Sequence, residues 1–240
     1  MKLSVQKNYE ALSRECAKII RELVASKPNC VLGLATGSTP VGTYEQLIHM
    51  YDAGDVDFSR VTAFNLDEYF PIKKSSDQSY YHFMRKNLFD RINIAQTFIP
   101  DGEAPDAAAE CAAYEEKIAA HGGIDLQILG IGNNGHIGFN EPGDAFVAAT
   151  NYTPLDESTI KANARFFADE SEVPRYAVTM GIRTIFRAGK IILLASGAGK
   201  ADAIFKALHG PITPQMPASV LQLHPDVTVI VDEDAAGLVK

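Results

Sequence analysis

The stretch LQILGIGNNGHIGFNEP, residues 126–142, decides how this chain is built and where its chemistry lies. Leu126–Ile131 is an apolar run too short for a helix, and it opens into glycines. Such a run reads as a strand buried on both faces of a parallel sheet. The loop after it sets one histidine, His136, among glycines and amides, with Glu141 five residues later. Gly130, Gly132 and Gly135 also spell G-x-G-x-x-G. A dinucleotide site needs a helix beginning at the third glycine. Here HIGFNEPGD follows, and Gly138, Pro142 and Gly143 prevent a sustained helix. A nicotinamide cofactor is therefore not expected.

Outward from this stretch, short apolar runs alternate with helical patterns. Asn8–Ala25 carries Leu12, Cys16, Ile19, Ile20 and Leu23 at helical spacing. Cys30–Ala35 reads as a strand, and Pro40 suits the first turn of a helix bearing Tyr44, Leu47 and Ile48. Val61–Leu66 reads as a strand, Tyr80–Phe89 and Ala107–Ala120 as helices. Lys190–Ala195 and Val227–Val231 are further strands, with a helix at Ala201–Leu208 between them. This alternation indicates an α/β fold with a mostly parallel central sheet between helical layers. Gly143–Pro174 is polar and without periodicity, which in a single domain suggests a functional loop.

Bulk properties narrow the partners. A chain of 240 residues with 46% hydrophobic content can bury the core of one large domain. A net charge of −8 argues against nucleic acid or an anionic membrane as the partner. MKLSVQKNYEALSREC has no apolar signal core, and no run is long enough to span a bilayer. Cys16, Cys30 and Cys111 are scattered and lack metal-like spacing, so they are expected to be reduced thiols in a cytoplasmic protein.

Ligands of open parallel sheets bind beyond the carboxyl ends of the strands. Thr36-Gly37-Ser38-Thr39-Pro40 follows the Cys30–Ala35 run and has the makings of a phosphate cradle, or simply of a capped strand-to-helix turn. Asp67 follows Val61–Leu66, where burial would fit a carboxylate for general base work. Alternatively, Asp67 caps the next helix and Glu68 faces solvent; Asp77 looks like a cap. The third strand leads to Asn134, His136 and Glu141, a set suited to acid–base chemistry. No second histidine lies near His136, so a metal is not expected. Ser196-Gly197-Ala198-Gly199-Lys200 fails the P-loop spacing, and Lys200 suits a monophosphate better than a triphosphate, or is a surface residue. Of the other histidines, His49 and His82 fall on helices, His209 at a helix end, and His224 reads as structural.

LGLATGSTP, FNLDEY, GIGNNGHIGFNEP, ANARFF and ASVLQLH, in this order from about Val31 to Asp232, closely resemble the glucosamine-6-phosphate deaminase family. The resemblance implies a Rossmann-like three-layer αβα fold, like ribose-5-phosphate isomerase, as one catalytic domain over 1–240 with a lid at about 150–175. It implies conversion of D-glucosamine 6-phosphate and water to D-fructose 6-phosphate and ammonia in amino-sugar catabolism, with neither metal nor organic cofactor. Asp67 would move a proton between C2 and C1, and His136, oriented by Glu141, would assist ring opening. Arg165 and Lys200 would hold the phosphate together with Thr36, Gly37, Ser38 and Thr39. Many members have aspartate where this chain has Asn134; an amide there can still bond the imidazole but cannot offset an imidazolium charge. The chain ends soon after its last strand, so regulation by N-acetylglucosamine 6-phosphate is expected to be absent or weak. A 6-phosphogluconolactonase and a non-catalytic phosphosugar sensor are the competing expectations. Oligomeric state stays open, a monomer included.

Overall fold

The computed structural model describes residues 1–157, 160–161, 167, 169 and 172–239. The strands are β1 (Lys2–Gln6), β2 (Val31–Leu34), β3 (Thr62–Asn65), β4 (Asp67–Phe70), β5 (Gln96–Phe98), β6 (Leu126–Gly130), β7 (Asn151–Pro154), β8 (Tyr176–Thr179), β9 (Lys190–Ala195) and β10 (Val227–Asp232). The helices used below are α1 (Tyr9–Ser26), α2 (Val41–Asp52), α3 (Tyr80–Asn87), α4 (Ala107–Ala120), α5 (Ile182–Phe186) and α6 (Ala201–His209).

Seven strands form one sheet in the order β1-β10-β9-β6-β2-β3-β5. Every pairing within it is parallel. The alternation of side chains along each strand divides the core in two. On β9, Ile191 and Leu193 join one cluster with Tyr114 and Ile118 of α4, Ile182 and Ile185 of α5, and Ile204 of α6. Ile192 and Leu194 turn the other way, onto Leu12 and Ile20 of α1, Tyr44 and Leu47 of α2, and Met84 of α3. Helices therefore cover both faces, as the continuous apolar strands require. Truncating a residue such as Ile192, fully buried between the layers, to alanine costs about 2–5 kcal/mol.

The chain runs outward from β2 to β3 and β5, then returns through α4 to place β6 on the other side of β2. The carboxyl ends of β2 and β6 thus flank a switch point, the crevice that such folds use for ligands. A second sheet, β4-β8-β7, is antiparallel. Its short strands DEYF, NYTP and YAVT carry polar residues, and β7 lies within the segment expected to be irregular. Asp67 consequently opens a strand of its own, beyond Leu66, and its partner across the sheet is Thr179. The edge strands β1 and β5 also escaped the periodicity, one half-exposed and the other three residues long.

Candidate active site

The four strand ends read as functional belong to adjacent strands of the sheet. The order β9-β6-β2-β3 sets the loop of His136 between the Lys200 loop and the Thr36–Thr39 loop, with Asp67 beyond β3.

The His136 loop is short of space at its start. A side chain at Gly132 would stand 2.5–2.6 Å from the imidazole, so only glycine lets the ring lie back over the backbone. The Gly132 N–H also donates to the His136 carbonyl at 2.9 Å. His136 Nδ1 lies 3.0 Å from Glu141 Oε2. An ionised carboxylate only accepts, so this contact puts the proton on Nδ1 and leaves Nε2 able to take one. Asn134 hydrogen-bonds beside the imidazole rather than to it: its Nδ2 donates to the same Glu141 oxygen at 2.7 Å, and its Oδ1 accepts from the His136 N–H at 3.2 Å. The amide acts on the carboxylate and the loop backbone rather than on the ring. No helix follows Gly135, so the glycine pattern has no nucleotide geometry.

Asp67 is 6% exposed and accepts no hydrogen bond among the described residues. The same loop reaches it, since a Cβ built on Gly138 would lie 3.5 Å from Asp67 Oδ2. Burial, with the charge of Glu68 adding to it, pushes the Asp67 carboxyl up to about 8. Glu68 is not solvent-facing as the alternative expectation had it; it is 2% exposed and accepts from the N–H groups of Tyr69, Tyr80 and Tyr81, each at 2.9 Å. Burial raises Glu68 too, to about 7, but those donors pull it back. Glu68, not Asp67, therefore serves the start of α3. Ser79, not Asp77, is the side-chain cap there, accepting from the His82 N–H at 3.0 Å.

In the Thr36–Thr39 loop, Gly37 has φ +87° with open space around it. The glycine serves this left-handed turn rather than a close approach. Pro40 occupies the cap position of α2 with no side-chain bond, so the hydroxyls of Ser38 and Thr39 are not used as caps. A cavity of about 420 Å³ is lined by Tyr9, Ser38, Thr39, Gly42 and Glu45 and reaches Ser196 of the Lys200 loop. Lys200 is half-buried and has no carboxylate partner among the described residues. Burial lowers its pKa, which leaves an ammonium lacking an anion. A second cavity, about 330 Å³, is lined by Glu141 and Asp156. Arg165 lies outside the described residues.

Sequence reasoning stopped one residue short on β10. Asp232 ends that strand and accepts from Ser196 Oγ, from the Gly197 N–H at 3.0 Å and from the Ala235 N–H at 2.8 Å, fixing the loop that carries Lys200. The cue, an acid closing an apolar strand, was the one that singled out Asp67. Thr179 was missed as well; its Oγ1 accepts from the Phe139 N–H at 3.1 Å and ties the histidine loop to the small sheet. Among the described residues no cluster of histidine, cysteine and carboxylates could hold a metal ion. The three cysteines are buried and free.

The sequence model of glucosamine-6-phosphate isomerases and 6-phosphogluconolactonases matches residues 4–230. The chain belongs to this family. Within it, the chain is 56% identical over 239 residues to the glucosamine-6-phosphate deaminase of Clostridium novyi (strain NT), covering 99% of both. It is 58% identical over 232 residues to that of Lachnoclostridium phytofermentans, covering 96% of this chain and 98% of the relative. A solved monomeric glucosamine-6-phosphate deaminase superposes with a TM-score of 0.96 at 46% identity, over 99% of this chain and 100% of the other. The 6-phosphogluconolactonase of Trypanosoma brucei superposes at 0.76 with 22% identity, over 100% of this chain and 98% of the other, and shares the fold alone.

Proposed function

We propose that this chain is an enzyme that converts D-glucosamine 6-phosphate and water to D-fructose 6-phosphate and ammonia. One observation carries the reading: a single loop brings the His136–Glu141 pair and the backbone beside Asp67 together at the switch point of the sheet. The deaminase relatives, more than half identical over nearly the whole chain, support the same substrate. The lactonases offer only a shared fold, and lactone hydrolysis has no use for a base at C2.

His136 Nε2 exchanges a proton with the sugar ring as it opens, while Glu141 holds Nδ1 and steadies the imidazolium. Asp67 takes the proton from C2 and returns it at C1, through an enolamine. The imine left at C2 adds water, and ammonia departs with the ketone formed. Burial holds the Asp67 carboxyl protonated near neutral pH; an amino group bound as a cation draws it towards its ionised form. Lys200, the Thr36–Thr39 loop and Arg165 receive the phosphate on one catalytic domain; the lid expected at about 150–175 lies partly outside the described residues. Asn134 keeps Glu141 aimed at the ring.

No described helix is long and apolar enough to cross a membrane. A phosphorylated amino sugar is a cytoplasmic metabolite, and we place the enzyme there, in amino-sugar catabolism. The monomeric deaminase that superposes on this chain supports a monomer. Coupled assays of ammonia and fructose 6-phosphate test the assignment: steady release of both in equal amounts is expected, and folded protein without turnover at micromolar enzyme would overturn it.

A further inference from the structure

Tyr9 belongs to none of the strand-end loops, yet it stands against one of them. It is the first residue of α1, and its hydroxyl lies 3.0 Å from the Ser38 carbonyl and 3.1 Å from that of Thr39. The same oxygen accepts the Gly42 N–H at 2.8 Å. That N–H belongs to the first turn of α2, where no earlier helical carbonyl exists to receive it. The approach depends on glycine: a Cβ at position 42 would stand 3.0 Å from the tyrosine ring and hydroxyl and 2.4 Å from Ser13 Oγ. One phenol thus closes a bridge from α2, through α1, to the Thr36–Thr39 loop.

We propose that Tyr9 is a positioning residue for the phosphate loop, its hydroxyl drawing the Ser38 and Thr39 carbonyls to one side so that the loop offers donors to the anion. The proposal rests on the phosphate reading of residues 36–39. A carbonyl facing a phosphate repels it, and an unanchored peptide unit is free to turn that way. The peptide between Ser38 and Thr39 is planar and trans, so holding the Ser38 oxygen at Tyr9 aims the Thr39 N–H in the opposite direction. Pro40 has no N–H, so turning the next unit offers the anion no donor, only the Thr39 carbonyl. Tyr9 also lines the cavity that joins this loop to Ser196, and its bridge runs to the Ser38 and Thr39 carbonyls, not to their hydroxyls.

Tyr9→Phe removes the hydroxyl and keeps the ring. Helix α1 does not depend on that hydroxyl, because Asn8 caps it through the Ala11 N–H at 2.9 Å. KM for glucosamine 6-phosphate and the inhibition constant of inorganic phosphate are expected to rise together, roughly five- to thirtyfold, the loss of one or two hydrogen bonds. The kcat should stay within about twofold and the melting temperature within a few degrees, since substrate and transition state lose the same contact. Unchanged KM and inhibition constant, or a loss confined to kcat, would overturn the clamp. Wild-type and Lys200→Met enzymes keep the underlying reading separate. If inorganic phosphate competes with substrate in the wild type and weakens in Lys200→Met, the phosphate site stands and a silent Tyr9→Phe refutes Tyr9 alone. If phosphate never competes, the loop assignment falls and the clamp with it.

Discussion

Asn134 and His136 meet on one oxygen of Glu141, at 2.7 Å from the amide and 3.0 Å from the imidazole. Both bonds orient the carboxylate, but only one reaches the group that exchanges protons. Glu141→Gln is therefore expected to lower kcat about 100-fold, because a neutral amide can still accept from Nδ1 but cannot steady an imidazolium. Asn134→Ala leaves the Glu141–His136 contact in place and should cost no more than about tenfold. The double variant should resemble Glu141→Gln alone, since both act through one oxygen. Steady-state kinetics of the three variants check the order; an Asn134→Ala loss as large as that of Glu141→Gln would put the amide in a different role.

Asp67 links catalysis to stability. Burial pushes its carboxyl up to about 8 in the fold, against the ordinary 3.8 of an aspartate in the open chain. Between those values the native state holds more protons than the unfolded one, so stability falls as pH rises through the window. Asp67→Asn cannot ionise. It should abolish turnover and yet gain about 2–4 kcal/mol over wild type at pH 8, with little difference at pH 4. Denaturant unfolding at the two pH values measures this, and a variant less stable than wild type at pH 8 contradicts the buried, unpartnered carboxylate.

The large sheet was legible in the sequence because its strands are buried on both faces. Runs such as Lys190–Ala195 need no partner to be recognised as strands, and α4 was bounded correctly by its own alanine-rich pattern. The small sheet was not legible, because β4 places Asp67 and Glu68 inside, where periodicity looks for apolar residues. In sequence Asp67 reads as a buried base or a cap and Glu68 as solvent-facing; only the fold reveals that Glu68 accepts three N–H groups and Asp67 none among the described residues. The strand-end rule singles out Asp67, His136 and Lys200 because each follows an apolar run closely in the chain. Tyr9 opens a helix 29 residues before its target, and no local pattern announces a hydroxyl that acts at such a sequence distance.

Glu68 offers a test of the electrostatics. Glu68→Gln removes the charge that helps raise Asp67 and weakens three hydrogen bonds at the start of α3. The variant should lose roughly 1–3 kcal/mol of stability. Its acid limb of kcat/KM, if set by ionisation of Asp67, should move to lower pH, because the remaining cause of the shift is burial alone. A profile that keeps its position while the melting temperature falls would separate the cap from the base.

Lys200 is a half-buried cation whose charge burial disfavours. Burial lowers its pKa, and no described carboxylate compensates. A phosphate would supply the missing charge and stabilise the ammonium, so binding should take up the proton that alkaline solution removes. KM of the wild type is thus expected to climb as pH rises towards the lowered lysine value, while kcat changes less. Lys200→Met should raise KM by about 30- to 100-fold at neutral pH, the range of a charge-assisted contact. It should also flatten the alkaline rise, because no titrating group is left at that position. Measuring KM against pH for both proteins decides the matter: a Lys200→Met enzyme that keeps the wild-type slope would move the phosphate grip to another cation.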